Sequence, residues 1–305
     1  MRTPLISGCA ALALIAAGMA EARPGDRWRA RFGNQNAAST APEAAGKQTM
    51  AYGRDALQNL DYWPASGATG PAPLVVFVHG GGWKRGSKDN ASGAWKAPHY
   101  TGAGYAYAAI NYRLVPGASV EDQAADVAAA LRYLIDHAAA LGIDPTRIVL
   151  MGHSAGAHLV ALVGTDERYL NGAGLSFANL KGVIPIDGAA YDVPRQIMDG
   201  GNFMRDTYVE AFGTEPKRQR ALSPTFQAAR PNAPGFLLIH VQRKDGIAQN
   251  EELEAALRKA GTAVTRQSFP GDGLMGHMTI NRSLGNPAYA ATPVVDAWLK
   301  AVFKR

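Results

Sequence analysis

The sequence predicts an α/β fold built on a mostly parallel, doubly wound sheet, and two observations carry that prediction. Runs of apolar, β-branched and aromatic residues recur at 74–78, 105–112, 147–151, 182–186 and 235–240. Each run is continuous rather than alternating, as a strand covered on both faces should be. Segments of helical period separate these runs, and strands alternating with helices imply parallel pairing through crossovers.

Taken in order, the 74–78 run is the first buried strand and 105–112 the second. Between the second and third strands Ser119 is placed to cap a helix. Val127, Leu131, Leu134, Ile135 and Ala138 recur there at three- and four-residue steps, and Gly142 ends the pattern. Near the C-terminus Thr292-Pro293 reads as a cap followed by an N1 proline, opening a helix that carries Val294, Val295, Trp298, Leu299 and Val302. Residues 192–231 break the alternation. That stretch holds a short helix from 203 to 212 ended by Gly213 but no strand, and it reads as a helical insertion over the carboxyl edge of the sheet, hinged near Gly200-Gly201.

The chain divides into a leader at 1–22, an arm at 23–50 and a single domain at 51–305. Residues 4–20 are almost wholly apolar, follow Arg2 and lead to Ala20-Glu21-Ala22, the pattern of a cleaved secretory signal. Export to a periplasmic or secreted location is therefore expected. Cys9, the only cysteine, falls inside the leader, so the processed chain has no thiol, no disulfide and no cysteine-based metal site. The Ala/Gly-rich run is too weakly hydrophobic for a stable bilayer span, so no membrane insertion is expected after cleavage. The arm gathers Arg23, Arg27, Trp28, Arg29, Arg31 and Phe32. The rest of the net charge of +6 is scattered, which gives nucleic-acid binding no support. With 47% hydrophobic and 18% charged residues, the composition excludes a disordered chain.

Chemistry concentrates at two glycine-rich sites. Ser154 stands in Gly152-His153-Ser154-Ala155-Gly156, directly after an apolar strand and before a helix-like run. The glycines permit a tight strand-to-helix turn that lifts the hydroxyl above the sheet, where the helix N-terminus faces developing negative charge. Upstream, His79-Gly80-Gly81-Gly82-Trp83 follows the 74–78 strand. Bare backbone lets a substrate carbonyl approach closely, so the amides of Gly81, Gly82 and Ala155 form a candidate oxyanion hole. His79 reads as an orienting residue that braces this loop.

Residues 52–163 resemble the α/β-hydrolase superfamily. Within it they resemble the esterase branch of hormone-sensitive-lipase-like carboxylesterases, feruloyl-type esterases and kynurenine-formamidase-like enzymes. The matching text is HGGGW followed by Gly86-Ser87-Lys88, Asn111-Tyr112-Arg113-Leu114, residues 121–133, Gly142-Ile143-Asp144-Pro145, Arg147 and GHSAG. The resemblance implies an α/β-hydrolase fold with Ser154 as nucleophile, no cofactor and no metal. It also implies an acid after a late strand and a histidine after that. On that order Asp245, after the 235–241 run, is the expected acid and His277 the expected base. Here the sequence departs from the commoner text: Val241 replaces the usual glycine after His240, and the aspartate lies one residue further along. Asp187, Asp192 and Asp272 therefore stay open as the acid. Trp83, His153, Tyr191 and Met275 are candidate pocket walls around the serine, and Phe203 and Met204 are candidates from the insertion.

The expected activity is hydrolysis of small to medium acyl or aryl esters through an acyl-enzyme. The alternatives are an arylformamidase and a catalytically silent binding protein of the same fold. The expected partner is a small-molecule ester, and nothing in the sequence specifies an oligomeric state.

Overall fold

The computed structural model describes residues 41–304 apart from 230, and for Asn202 and Phe203 the backbone only. The leader at 1–22 and the basic part of the arm lie outside the described residues. What remains of the arm is not all arm, because its end already forms the first strand, β1 (Gln48–Ala51).

Seven more strands follow: β2 (Asn59–Trp63), β3 (Ala72–Val78), β4 (Ala106–Ile110), β5 (Ile143–His153), β6 (Gly182–Ile186), β7 (Gly235–Val241) and β8 (Ala263–Phe269). They form one sheet in the order β1-β2-β4-β3-β5-β6-β7-β8. β1 runs antiparallel to β2 and β2 antiparallel to β4, while every pairing from β4 to β8 is parallel. The sheet is thus the mostly parallel one the sequence predicts, extended by three strands that the apolar runs do not reveal. β1 and β8 are edge strands with largely exposed side chains, so neither carries a continuous apolar run.

The helices are α1 (Lys96–Gly102), α2 (Val120–Asp136), α3 (Ala138–Leu141), α4 (Ala155–Thr165), α5 (Arg168–Gly172), α6 (Val193–Asp199), α7 (Gly201–Phe212), α8 (Pro216–Ala221), α9 (Pro224–Gln227), α10 (Lys244–Lys259), α11 (Gly273–Ser283) and α12 (Ala291–Phe303). Ser119 caps α2 in a full capping box with Asp122. The helical pattern then breaks at His137, and Gly142 at φ 66° ends the separate α3. Thr292 is no cap: α12 begins at Ala291, and the Thr292 hydroxyl instead accepts the Gly285 amide at 3.0 Å.

Both faces of the sheet are covered, and the two-residue period of a strand assigns side chains to them. Leu74, Val76 and Val78 of β3 join one core cluster with Val127, Leu131 and Leu134 of α2 and Leu159 and Val163 of α4. Val75 and Phe77 join the opposite cluster with Tyr100 of α1, Ile280 of α11 and Val295 and Leu299 of α12. The insertion between β6 and β7 comprises α6 to α9 and matches the expected 192–231 interval. Among the described residues no helix is long and apolar enough to cross a membrane.

Candidate active site

The carboxyl ends of β3, β5, β6, β7 and β8 open onto one edge of the sheet, where a doubly wound fold places its ligands. Ser154 sits between β5 and α4 at φ 57° and ψ −119°, a conformation that costs a side-chain-bearing residue energy and that the surrounding packing holds. Its amide donates to Ile186 O at 3.0 Å, fixing the turn to the tip of β6. The two glycines of the motif have steric causes. A Cβ on Gly152 would lie 2.3 Å from Gly156 O, and one on Gly156 would lie 2.1 Å from Val78 O. The turn is therefore wedged against both its own helix and the end of β3.

The loop after β3 folds back on itself with Gly81 at φ 135°, Gly82 at φ 60° and Trp83 at φ 61°. A Cβ on Gly81 would stand 1.9 Å from Arg85 O, so this loop tolerates only glycine there. Neither the Gly81 nor the Gly82 amide donates to another group among the described residues, and Ala155 is the first residue of α4, whose amide has no acceptor within the helix. These three donors are the ones the sequence proposes for an oxyanion. His79 braces the loop: its Nδ1 meets Gly80 O at 2.8 Å and its ring stacks on Tyr112 at 4.3 Å, while the Tyr112 hydroxyl donates to His79 O. Burial pushes the His79 ring down to about 4, which keeps it neutral. The motif text around Asn111-Tyr112-Arg113 is likewise structural, with Arg113 held on Asp126 and the Asn111 side chain accepting the Lys88 amide at 2.7 Å.

His277 lies in the first half of α11. Its backbone oxygen receives His153 Nε2 at 2.9 Å, and the two rings pack 4.4 Å apart, so His277 is braced by the residue preceding the serine. Burial above all, with the adjoining His277 second, pushes the His153 imidazole well below its ordinary range. As a neutral ring it donates from Nε2. The C-terminal half of α11 is fastened from below by Lys96, whose buried ammonium donates to Ser92 O, Asn281 O and Asn281 Oδ1 at 2.7, 2.5 and 2.9 Å.

The acid expected from the sequence is not the one that meets the histidine. His277 Nδ1 stands 2.5 Å from Asp187 Oδ2, across 90 residues of chain. Asp187 directly follows β6, is fully buried and holds φ 44°. Its Oδ1 accepts the Val241 amide at 3.1 Å and its Oδ2 also accepts Arg243 Nε at 3.0 Å. Burial would push this carboxyl up, but the His277 hydrogen bond, the Arg243 charge and the Val241 amide outweigh it and hold the group well below the usual carboxylate range. Asp245 instead lies in the first turn of α10, accepts Arg243 Nη1 at 3.0 Å and Gln196 Nε2 at 3.2 Å, and makes no bond to His277. Asp187 follows β6, the neighbour of the serine strand β5, whereas Asp245 follows β7 and is drawn into the first turn of α10, where Arg243 and Gln196 hold it. Of the other acids left open, Asp192 caps α6 through the Arg195 amide and Asp272 caps α11 through the Gly273 amide.

The pocket candidates divide. Trp83 is buried core, packed edge-on against Phe212 at 4.7 Å and His158 at 5.4 Å, with its Nε1 donating to His158 Nδ1. His153 is the buried brace already described, and Tyr191 is fully buried. Met204 is half-buried against the larger core cluster. Met275 is 67% exposed, two residues before His277, and Phe203 has no described side chain. A residue missed by sequence reasoning, Thr207 of α7, places its methyl 3.1 Å from where a Gly82 Cβ would stand. The insertion therefore roofs the candidate oxyanion loop. No sequence pattern marks that contact.

The strained serine turn, the glycine loop and the Asp187–His277 pair all stand at the strand ends of this sheet. The chain has the α/β-hydrolase fold, and over part of its length its sequence is similar to carboxylesterase-type proteins. Residues 60–190 match the BD-FAE family. A probable isoprenylcysteine alpha-carbonyl methylesterase of Arabidopsis thaliana is 36% identical over 121 residues, 40% of this chain and 25% of that protein. The carboxylesterase NlhH of Mycobacterium tuberculosis is 36% identical over 128 residues, 41% of this chain and 40% of NlhH. The chain thus spans well under half of either relative. Esterase B of Lactobacillus rhamnosis superposes with a TM-score of 0.72 at 22% identity, covering 92% of this chain and 91% of that one, which shows the shared fold.

Proposed function

We propose that the protein is a serine carboxylesterase acting through an acyl-enzyme. The observation that carries the reading is the Asp187–His277 contact, with the His277 ring packed on His153 next to the strained Ser154 turn. The ester-hydrolase names of its relatives support it.

In this reading His277 Nε2 takes the Ser154 proton as Oγ attacks the ester carbonyl, and the oxyanion is received by the Gly81, Gly82 and Ala155 amides. Asp187, ionised and fixed on Nδ1, holds the imidazole tautomer and stabilises the imidazolium. The imidazolium then protonates the departing alkoxide as the acyl–oxygen bond breaks. Water, deprotonated by the same ring, attacks the acyl-enzyme and returns Ser154 with the free acid. The rate should fall on acidification, because a general base must be free of its proton to take that of the serine.

We assign small to medium acyl or aryl esters as substrates, because Trp83, directly after the glycine loop, is buried against Tyr208 and Phe212 of α7 rather than lining an open groove. A nitrophenyl ester series tests this: acetate or butyrate should turn over faster than decanoate, and the reverse order would refute it. Ser154→Ala should lose turnover and labelling by a fluorophosphonate probe. Faster cleavage of N-formylkynurenine than of an aryl acetate would favour the amide reading instead. The leader at 1–22 supports export, and a mature N-terminus at residue 23 in exported material is the expected result.

A further inference from the structure

We infer that Arg243 is a positioning residue of the triad, fixing the Asp187 carboxylate beneath His277 and tying it through Asp245 to the insertion. The inference rests on the triad reading above and deepens it.

Arg243 follows β7 with its side chain 16% exposed, and its guanidinium faces two carboxylates. Nε reaches Asp187 Oδ2 at 3.0 Å, the same oxygen that receives His277 Nδ1. Nη1 spans Asp245 Oδ1 and Oδ2 at 3.2 and 3.0 Å. Beyond Asp245 the chain of contacts continues to Gln196 of α6, whose Nε2 also donates to the Tyr208 hydroxyl of α7 at 3.2 Å. One guanidinium therefore joins the triad acid to two helices of the insertion.

Asp187 needs such a partner. It sits in left-handed backbone, where an aspartate is tolerated but not favoured, and among the described residues its Oδ1 is held only by the Val241 amide. Without Arg243, Oδ2 would keep His277 alone, and the Asp245 carboxylate would lose its cation close to the site. The planar fork explains the residue type, because an ammonium offers no second N–H at the fixed angle needed to bridge two carboxylates.

The guanidinium also offsets the Asp187 charge. A bare Asp187 stabilises imidazolium more strongly, so removing Arg243 should move the acid limb of the rate upward. Other groups around the pair do not blur that effect. The ammonium of Lys96 is held on Ser92 and Asn281, burial above all pushes the rings of His153 and His240 below their ordinary range, and the hydroxyls of Tyr191, Tyr208 and Tyr289 are pushed further from ionisation by burial.

The test follows kcat/KM against pH on an aryl acetate for the full chain, with Ser154→Ala as the blank. Arg243→Gln is expected to lose about 10²-fold at the plateau and to shift the acid limb upward by at least half a pH unit. Arg243→Lys should lose rate while leaving the limb within about 0.2 units, because charge is kept and the fork is not. Asp245→Asn in the Arg243→Gln background should bring the limb part of the way back. The low-field proton resonance of the His277 Nδ1–H bond should shift in Arg243→Gln, a readout that needs no substrate and only a folded protein. An unmoved acid limb and an unchanged resonance in folded Arg243→Gln would overturn the inference. A wild-type chain that does not turn over aryl acetate would instead refute the esterase reading.

Discussion

Asp187 and His277 meet at 2.5 Å, oxygen to nitrogen, while Asp245, one strand further out, is held by Arg243. On the proposed reading the triad acid is Asp187, after β6 and beside the serine strand, while the carboxylate after β7 holds the guanidinium that contacts it. Asp187→Asn should therefore lower kcat by about 10³–10⁴-fold, through loss of the correct tautomer. Asp245→Asn should lose less than about tenfold. Steady-state kinetics on an aryl acetate decide it, and the opposite ranking would return the acid to α10.

The serine turn is bounded by backbone, so its glycines cannot be replaced cheaply. Gly156→Ala places a methyl group 2.1 Å from Val78 O and 2.5 Å from His79 O. A destabilisation of about 3 kcal/mol or more is expected, read by urea unfolding or as a loss of soluble protein. Gly172→Ala, on α5 with nothing within 4 Å of the added carbon, is the control. It should be neutral or stabilising by about 0.5–1 kcal/mol.

Stability should fall on acidification well before the carboxylates titrate. Burial holds His79 and His158 at about 4, against 6.5 for an unhindered imidazole, and His153 lies well below its ordinary range too. Between those values the unfolded chain binds more protons than the native one, so stability rises with pH across that window and is lost as pH falls through it. His79 and His158 each contribute on the order of 3 kcal/mol by pH 4. Asp187 has a lowered native pKa, so its contribution goes only below about pH 4, the unfolded aspartate range. Urea midpoints should therefore decline steadily from pH 7 to pH 4.5, and a flat profile would contradict the neutral, buried rings.

Lys96 is fully buried, with burial pushing its ammonium down to about 7. Its three donors nonetheless match the three carbonyl oxygens of Ser92 and Asn281. Lys96→Met orphans those acceptors and should destabilise by on the order of 3 kcal/mol. It should also loosen α11, so kcat falls with stability. A variant of equal or greater stability in urea would mean that the desolvation cost of the ammonium exceeds what its bonds return.

Sequence by itself determined the parts of this protein whose physics is local. Ser154 was legible because a strand run, two glycines and a helix run adjoin it within one turn. The loop at Gly81 and Gly82 was legible because bare backbone after a strand has few other uses, and His277 through its place after the late strand run. The buried strands were legible from unbroken apolar runs. The edge strands were not: β8 alternates Thr265, Arg266, Gln267 and Ser268 with only Phe269 fully buried, so it lacks the signal of a covered strand. The acid also had to wait for the fold. Asp187 and Asp245 each follow an apolar strand, and nothing local separates them. Tertiary packing decided between them: Asp187, after β6, reaches His277, whereas Asp245 lies in the first turn of α10 and is held by Arg243 and Gln196. The same holds for Trp83. Its place after the glycines marks it as a neighbour of the site, and only the packing of Phe212 and His158 around it makes it core.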